Sequence, residues 1–271
     1  MTLDVGWFST GRGQGSRDLL TTAKQHIDQG DFDAEISFLF CNREPGEFEA
    51  TDGFLHLVED KYRIPLVCLS SRKHRALRSD WSSREQWRLE YDREVMKLLQ
   101  SFKPDLCVLA GYMLVVSEEL CQKYDMINLH PAAPGGPAGT WQEVIWQLIE
   151  TEAHESGAMM HLAIPELDQG PPVTYCSFSI KGEPFDQLWK EISGQSVETV
   201  QREQGEANAL FKLIRQHGVA HELPLIVATL RAFSKGKVKI RNRQVVDERD
   251  QPIKAYDLTE EIDRVIGNVG A

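Results

Sequence analysis

The sequence predicts an α/β chain built on a doubly wound, mostly parallel sheet. Three observations predict it. Short apolar runs alternate with amphipathic stretches from residue 5 to residue 164, the order of repeated strand–helix units. The run Leu106-Cys107-Val108-Leu109-Ala110 is apolar at every position, as in a strand buried on both faces of a parallel sheet. Glycine or proline follows the runs ending at Phe8, Ala110 and His130, and ligands of open α/β sheets bind beyond the carboxyl ends of strands.

Residues 5–8 are the first strand. Ser9-Thr10-Gly11-Arg12-Gly13-Gln14-Gly15-Ser16-Arg17 then makes a glycine-rich turn into a helix that reads from Asp18. Strand, glycine turn and helix together suit a phosphate, because glycines let backbone N–H groups approach an anion and a helix N-terminus favours negative charge. The same pattern also serves as a plain tight connection. Residues 36–41 are the second strand, 42–53 a polar loop, 54–61 a helix and 64–69 a third strand behind Pro65. Residues 70–83 read as a basic, irregular connection whose Arg72-Lys73-His74-Arg75 suits either a small anion or solvent. In 84–102, Trp87, Tyr91, Val95, Leu98 and Leu99 recur at helical spacing, a core-packing stripe.

After 106–110 come Gly111-Tyr112-Met113-Leu114, a short helix at 115–123, a strand ending at His130, a glycine-rich loop at 134–139 and a helix at 140–151 capped by Thr140. Strands follow at 158–164 and 173–180. Residues 185–217 read as helical and 221–234 as a further helix with Pro224 in its first turn. Residues 237–240 and 244–246 read as a hairpin turning near Asn242, and 255–271 as a terminal amphipathic segment or tail. Residues 1–184 are thus the expected α/β core, with 185–271 a helical extension and C-terminal hairpin of the same domain.

The chemistry concentrates between Asn128 and Asp168. In an extended strand, residues i and i+2 share a face, so Asn128 and His130 project together before Pro131 forces the chain out of the sheet. An imidazole moves protons near neutral pH, a carboxamide can hold a developing oxyanion, and a carboxylate such as Asp168 can orient the imidazole. Those residue types suffice for acid–base chemistry at a carbonyl. By themselves they would equally form a capped turn with a packed histidine.

Composition narrows the classes. A net charge of −11 over 271 residues argues against a broad nucleic-acid surface. No apolar run reaches the roughly 20 residues of a membrane span, and Met1-Thr2-Leu3-Asp4 does not open a secretory signal. Cys41, Cys68, Cys107, Cys121 and Cys176 are scattered without metal spacing, so buried free thiols in a reducing, cytoplasmic setting and no metal are expected.

Four stretches together resemble the folate-dependent formyltransferases, most closely the phosphoribosylglycinamide formyltransferase group of purine synthesis. Gly13-Gln14-Gly15-Ser16 is similar to the turn that holds the amine substrate's ribose phosphate. Leu109-Ala110-Gly111-Tyr112-Met113 resembles the segment against which the pterin lies. Ile127-Asn128-Leu129-His130-Pro131 resembles the catalytic Asn-x-His-Pro segment, and Glu166-Leu167-Asp168-Gln169-Gly170-Pro171 the segment with the catalytic Asp. The resemblance implies catalysis by Asn128, His130 and Asp168, phosphate binding by Gly13, Gln14, Gly15 and Ser16, and folate binding by Arg88, Met113, Leu114, Val115 and Val116. It also sets His161 near the site. The implied reaction moves a formyl group from 10-formyltetrahydrofolate, the co-substrate, to the primary amine of phosphoribosyl glycinamide, with no metal. The expected partners are folate and a small amine, with no nucleic acid or membrane, on a monomer or homodimer. Departures lie at Ala132-Ala133-Pro134-Gly135 and Thr140-Trp141-Gln142-Glu143, so another small amine such as an amino sugar nucleotide stays open as the acceptor. A non-catalytic folate- or nucleotide-binding module of the same fold is the alternative from another class.

Overall fold

The structure, a computed structural model, describes residues 1–77 and 81–269, with side chains of the last helix to residue 267. Residues 78–80 of the expected irregular connection and 270–271 of the expected tail lie outside the described residues. The chain runs β1 (Leu3–Ser9), α1 (Gln14–Asp28), β2 (Ala34–Cys41), α2 (Glu49–His56), β3 (Leu66–Cys68), α3 (Ser71–Ala76), α4 (Arg84–Leu98), β4 (Leu106–Leu109), α5 (Glu118–Lys123), β5 (Met126–His130), α6 (Trp141–Glu150), β6 (Glu155–Leu162) and β7 (Pro172–Ser179). It ends α7 (Asp186–Ile192), α8 (Val197–Gln204), α9 (Ala209–Ser234), β8 (Val238–Arg241), β9 (Gln244–Asp247), β10 (Tyr256–Asp257) and α10 (Thr259–Val269).

One sheet has the order β10-β7-β6-β5-β4-β1-β2-β3, and β8 and β9 form a separate antiparallel pair. Only the β5–β6 and β6–β7 pairings of the large sheet are antiparallel. Adjacent residues of β1 explain why both sheet faces are covered. Trp7 packs into a core with Leu19 and Leu20 of α1 and with Leu225, Ile226 and Leu230 of α9. Phe8, on the opposite face, joins Trp87, Tyr91 and Val95 of α4. The period of two along a strand puts neighbouring apolar residues under different helices. Gly6 completes the strand because a Cβ there would lie 2.5 Å from the Phe38 ring.

Several expected boundaries move. The polar stretch at 42–53 already begins α2 at Glu49, and the expected 54–61 helix ends in a wide turn at Leu57–Lys61. Part of the irregular connection is the short helix α3, capped by Ser70. The helix expected from 115 starts at Glu118 behind the Ser117 cap. The helix expected from Asp18 starts four residues earlier, at Gln14.

The largest correction lies in the C-terminal third. The stretch 185–217 breaks into α7, α8 and the start of α9, and α9 then runs unbroken through Pro224. A proline inside a helix costs about 3 kcal/mol. Leu225, Ile226 and Leu230 are each fully buried just beyond it. Burial of each such side chain contributes about 1.5–3 kcal/mol, so packing outweighs the local break. Of the two readings of 255–271, the amphipathic segment is the one seen, as α10, and it is preceded by β10, which was not expected and pairs in parallel with β7.

Candidate active site

β1, β4 and β5 lie side by side and in parallel, with Phe8 opposite Leu109 and Leu109 opposite Asn128. Their carboxyl ends therefore emerge together, at the place where the strand order reverses on either side of β1. Asn128 and His161 are direct cross-strand partners. The Asn128 amide Nδ2–H donates to His161 Nε2 at 3.0 Å, and His161 Nδ1–H donates to the Leu162 carbonyl at 3.1 Å. His130 Nε2–H donates to the Pro137 carbonyl at 2.8 Å, and its Nδ1 faces Asp168 Oδ1 at 3.6 Å. The same Asp168 oxygen lies 3.6 Å from His161 Nε2, while Oδ2 accepts the Gly139 N–H at 3.1 Å.

Asn128, His130 and Asp168, separated in sequence, thus converge, with His161 as the link between the amide and the carboxylate. The site is dry: the side chains of His130 and Asp168 are 3% and 7% exposed. Burial acts to raise the Asp168 carboxyl, but the adjacent His161 and His130 rings and the Gly139 N–H together hold it below the usual range. Asp168 has a left-handed backbone, φ +55°, an uncommon conformation for a side-chain-bearing residue. Two residues on, Gly170 packs so tightly that a Cβ would lie 1.6 Å from the Leu162 carbonyl oxygen. That contact admits only glycine and seats the Asp168 segment on β6.

Beyond β1, Gly13 caps α1, and Gln14, Gly15 and Ser16 form its first turn. No acidic residue lies in that turn, and open space surrounds the positions of side chains at Gly13 and Gly15. Ser16 instead turns inward, its Oγ 2.7 Å from where a Cβ on Gly111 would sit. Arg43 donates to Thr51 Oγ1 at 2.9 Å, and Thr51 in turn donates to the Thr10 carbonyl, so this guanidinium is tied to the residues before the turn. Arg17 is directed elsewhere, donating to the Ala50 carbonyl at 3.1 Å.

The loop after β4 joins this turn to a cavity. Met113 N–H donates to Thr10 Oγ1 at 2.9 Å. The cavity, about 600 Å³, is lined by Met113, Leu114, Val115 and Trp87 on its apolar side and by Arg72, Arg75, Arg84 and Arg88 on its charged side. Ser71 and Ala76 complete the lining. Val116 does not reach it: at 3% exposure it belongs to the core beneath. Trp87, expected as core, is buried and lines the cavity as well. Arg72 and Arg75 belong to the basic stretch that suited either a small anion or solvent, whereas Arg84 gave no sign in the sequence of lining a cavity. The Pro137 and Gly139 contacts come from main-chain atoms, which leave no side-chain signature. Among the described residues, no group of three or more His, Cys, Asp or Glu is arranged to hold a metal ion, and no helix is long and apolar enough to cross a membrane.

An imidazole, a carboxylate and an amide thus meet above the strand ends of a doubly wound sheet. The formyl transferase family model matches residues 14–188, more than half of the chain, and the chain belongs to that family. It is similar to the phosphoribosylglycinamide formyltransferase of Saccharomyces cerevisiae, 31% identical over 103 residues, 35% of this chain and 48% of that protein. It is 28% identical over 125 residues to the enzyme of the same name from Escherichia coli, 45% of this chain and 56% of that protein. The chain thus spans about half the length of these curated relatives. In fold it is similar to a phosphoribosylglycinamide formyltransferase structure from Coxiella burnetii, with TM-score 0.64, 19% identity and coverage of 95% of this chain and 99% of that one.

Proposed function

We propose that the chain transfers the formyl group of 10-formyltetrahydrofolate to the primary amine of phosphoribosyl glycinamide. The observation that carries this reading is the meeting of Asn128, His130 and Asp168 at the carboxyl end of β5, beside β4, whose following loop lines the arginine-rimmed cavity. The relatives' names support formyl transfer and the phosphoribosylglycinamide acceptor.

The cavity fits the donor by its chemistry. Trp87, Met113, Leu114 and Val115 offer an apolar wall to a flat heterocycle, and Arg84 and Arg88 offer partners to its glutamate carboxylates. At α1, the N–H groups of the first turn, with open space at Gly13 and Gly15, suit a ribose phosphate. That pocket favours a phosphate-bearing acceptor over water.

The donor supplies the formyl carbon, which the amine attacks. The carbonyl oxygen becomes an oxyanion, and the Asn128 amide N–H and the His130 Nε2–H donate to it. For His130 to do so, its bond to the Pro137 carbonyl is exchanged for one to the substrate. Asp168, held ionised, faces Nδ1 and stabilises the imidazolium. The His130 imidazolium then gives its Nε2 proton to the departing nitrogen as the C–N bond to the folate breaks, and the neutral imidazole takes up the proton that the attacking nitrogen loses. The core that α9 and the β8–β9 hairpin share with β1 supports reading residues 185–271 as part of the same domain.

The test is incubation with 10-formyltetrahydrofolate and a panel of amines, following folate release by absorbance. Turnover with phosphoribosyl glycinamide, and none with amines lacking a phosphate, is expected. Turnover with an amino sugar nucleotide alone would overturn the acceptor. No turnover with any amine, despite donor binding, would sink the enzyme reading in favour of a binding module.

A further inference from the structure

We infer that Arg243, at the tip of the β8–β9 hairpin, is a positioning residue for Asp168. The inference rests on the formyl-transfer reading of Asp168. Arg241 pairs with Gln244, which leaves Asn242 and Arg243 as a two-residue loop. Both have left-handed backbones, φ +51° and +61°. Such loops are best served by Asn followed by Gly, because a Cβ resists positive φ. Here an arginine occupies the place that glycine would fill most easily.

Its side chain accounts for the exception. The half-buried guanidinium reaches across to two carbonyls far away in sequence. Nη1–H donates to the Cys121 carbonyl, and Nη2–H donates to the Ala163 carbonyl at 3.1 Å. Cys121 lies in the last turn of α5, where carbonyls have lost their helical partners and a cation is favoured. Ala163 follows the last residue of β6, and its N–H bonds the Met126 carbonyl of β5 at 2.8 Å. Arg243 therefore joins α5 to the end of β6, on the stem from which the Asp168 segment departs. Asp125 faces the same guanidinium: burial raises its carboxyl, and the charges of Arg243 and Arg241 act against that rise.

The stem matters because of what it carries. His161 lies two residues before Ala163 and Asp168 five residues after it. Asp168 Oδ1 is 3.6 Å from both His130 and His161, so a shift of the stem changes both distances at once. Between Ala163 and Asp168 the chain turns through Ile164 and Pro165, and the Gln169 N–H to Glu166 carbonyl bond, 3.3 Å, closes the turn around Asp168. A misplacement of about 1 Å at a reacting group costs on the order of a hundredfold in rate.

The experiment compares the full chain with Arg243→Gly, Arg243→Lys and, as a control on the same hairpin, Arg241→Ala. Glycine relieves the turn while removing the guanidinium, so the hairpin itself stays formed. Two readouts are taken. In hydrogen exchange, residues 164–169 and the Gly139 amide are expected to exchange at least about tenfold faster in Arg243→Gly, with 238–247 unchanged. In turnover, kcat is expected to fall about tenfold to a hundredfold with both KM values within about twofold, partial recovery in Arg243→Lys and wild-type rates in Arg241→Ala. Unchanged exchange at 164–169 overturns the inference, as does wild-type kcat in Arg243→Gly. Absence of turnover in the unsubstituted chain overturns the formyl-transfer reading instead, and the exchange result then decides the anchoring by itself.

Discussion

Asp92 offers a test in which the charge of one buried carboxyl sets the pH dependence of stability. It lies on α4, 2% exposed, and its Oδ2 accepts the Ser117 N–H at 2.6 Å. Burial pushes its carboxyl up from 3.8 to about 6, against the pull of Ser117 and of the Arg88 charge. The rise of about 2 pH units corresponds to about 3 kcal/mol. Its sign follows from proton binding. Between about pH 4 and pH 6 the folded chain holds a proton that the unfolded chain has released, so this group's contribution falls as pH rises through that window. Above it the full penalty remains; below it the penalty vanishes. Asp92→Asn keeps an oxygen for the Ser117 N–H and removes the charge. Urea unfolding at pH 7.5 is expected to find the variant more stable by up to about 3 kcal/mol, and at pH 4 to find the two within about 0.5 kcal/mol. An equal difference at both pH values, or a less stable variant at pH 7.5, would refute the reasoning.

Three further outcomes follow from the site. His130→Ala is expected to lower kcat by a hundredfold to a thousandfold while fluorescence titration finds donor affinity within about threefold of wild type. Arg84→Ala combined with Arg88→Ala is expected to raise KM for the donor about tenfold or more with kcat largely kept, since those groups touch the cavity and not the reacting carbon. Gly170→Ala is expected to cost at least about 2 kcal/mol in urea unfolding, because the atom opposing the new methyl is β6 backbone and cannot rotate away.

Much of the fold was legible because the strands are locally unambiguous. Leu106–Leu109 is apolar throughout and buried throughout, and Asn128 and His130 do project together from the end of β5. The interruption expected before Pro224 was wrong because the residues after it are buried by sheet and helices that come from elsewhere in the chain. β10 was missed because two residues gain strand geometry only from the exposed edge of β7. At the site, the order of Asn128, His130 and Asp168 in the sequence was enough to expect that they meet, and the structure brings them together. Val116 went astray because a one-residue difference in a loop decides between cavity wall and core. Arg243 carried a faint signal, an arginine where a tight hairpin prefers glycine, but its distant acceptors are visible only in three dimensions.

The segment from Pro134 to Gly139 touches His130 and Asp168 through one carbonyl and one amide hydrogen, not through any side chain. What that segment must keep is the path of its backbone, which Gly135 and Gly139 permit with φ of +81° and +112°. Adding or deleting a residue there would do more harm than most replacements, because it would carry both main-chain groups out of register with the pair they hold.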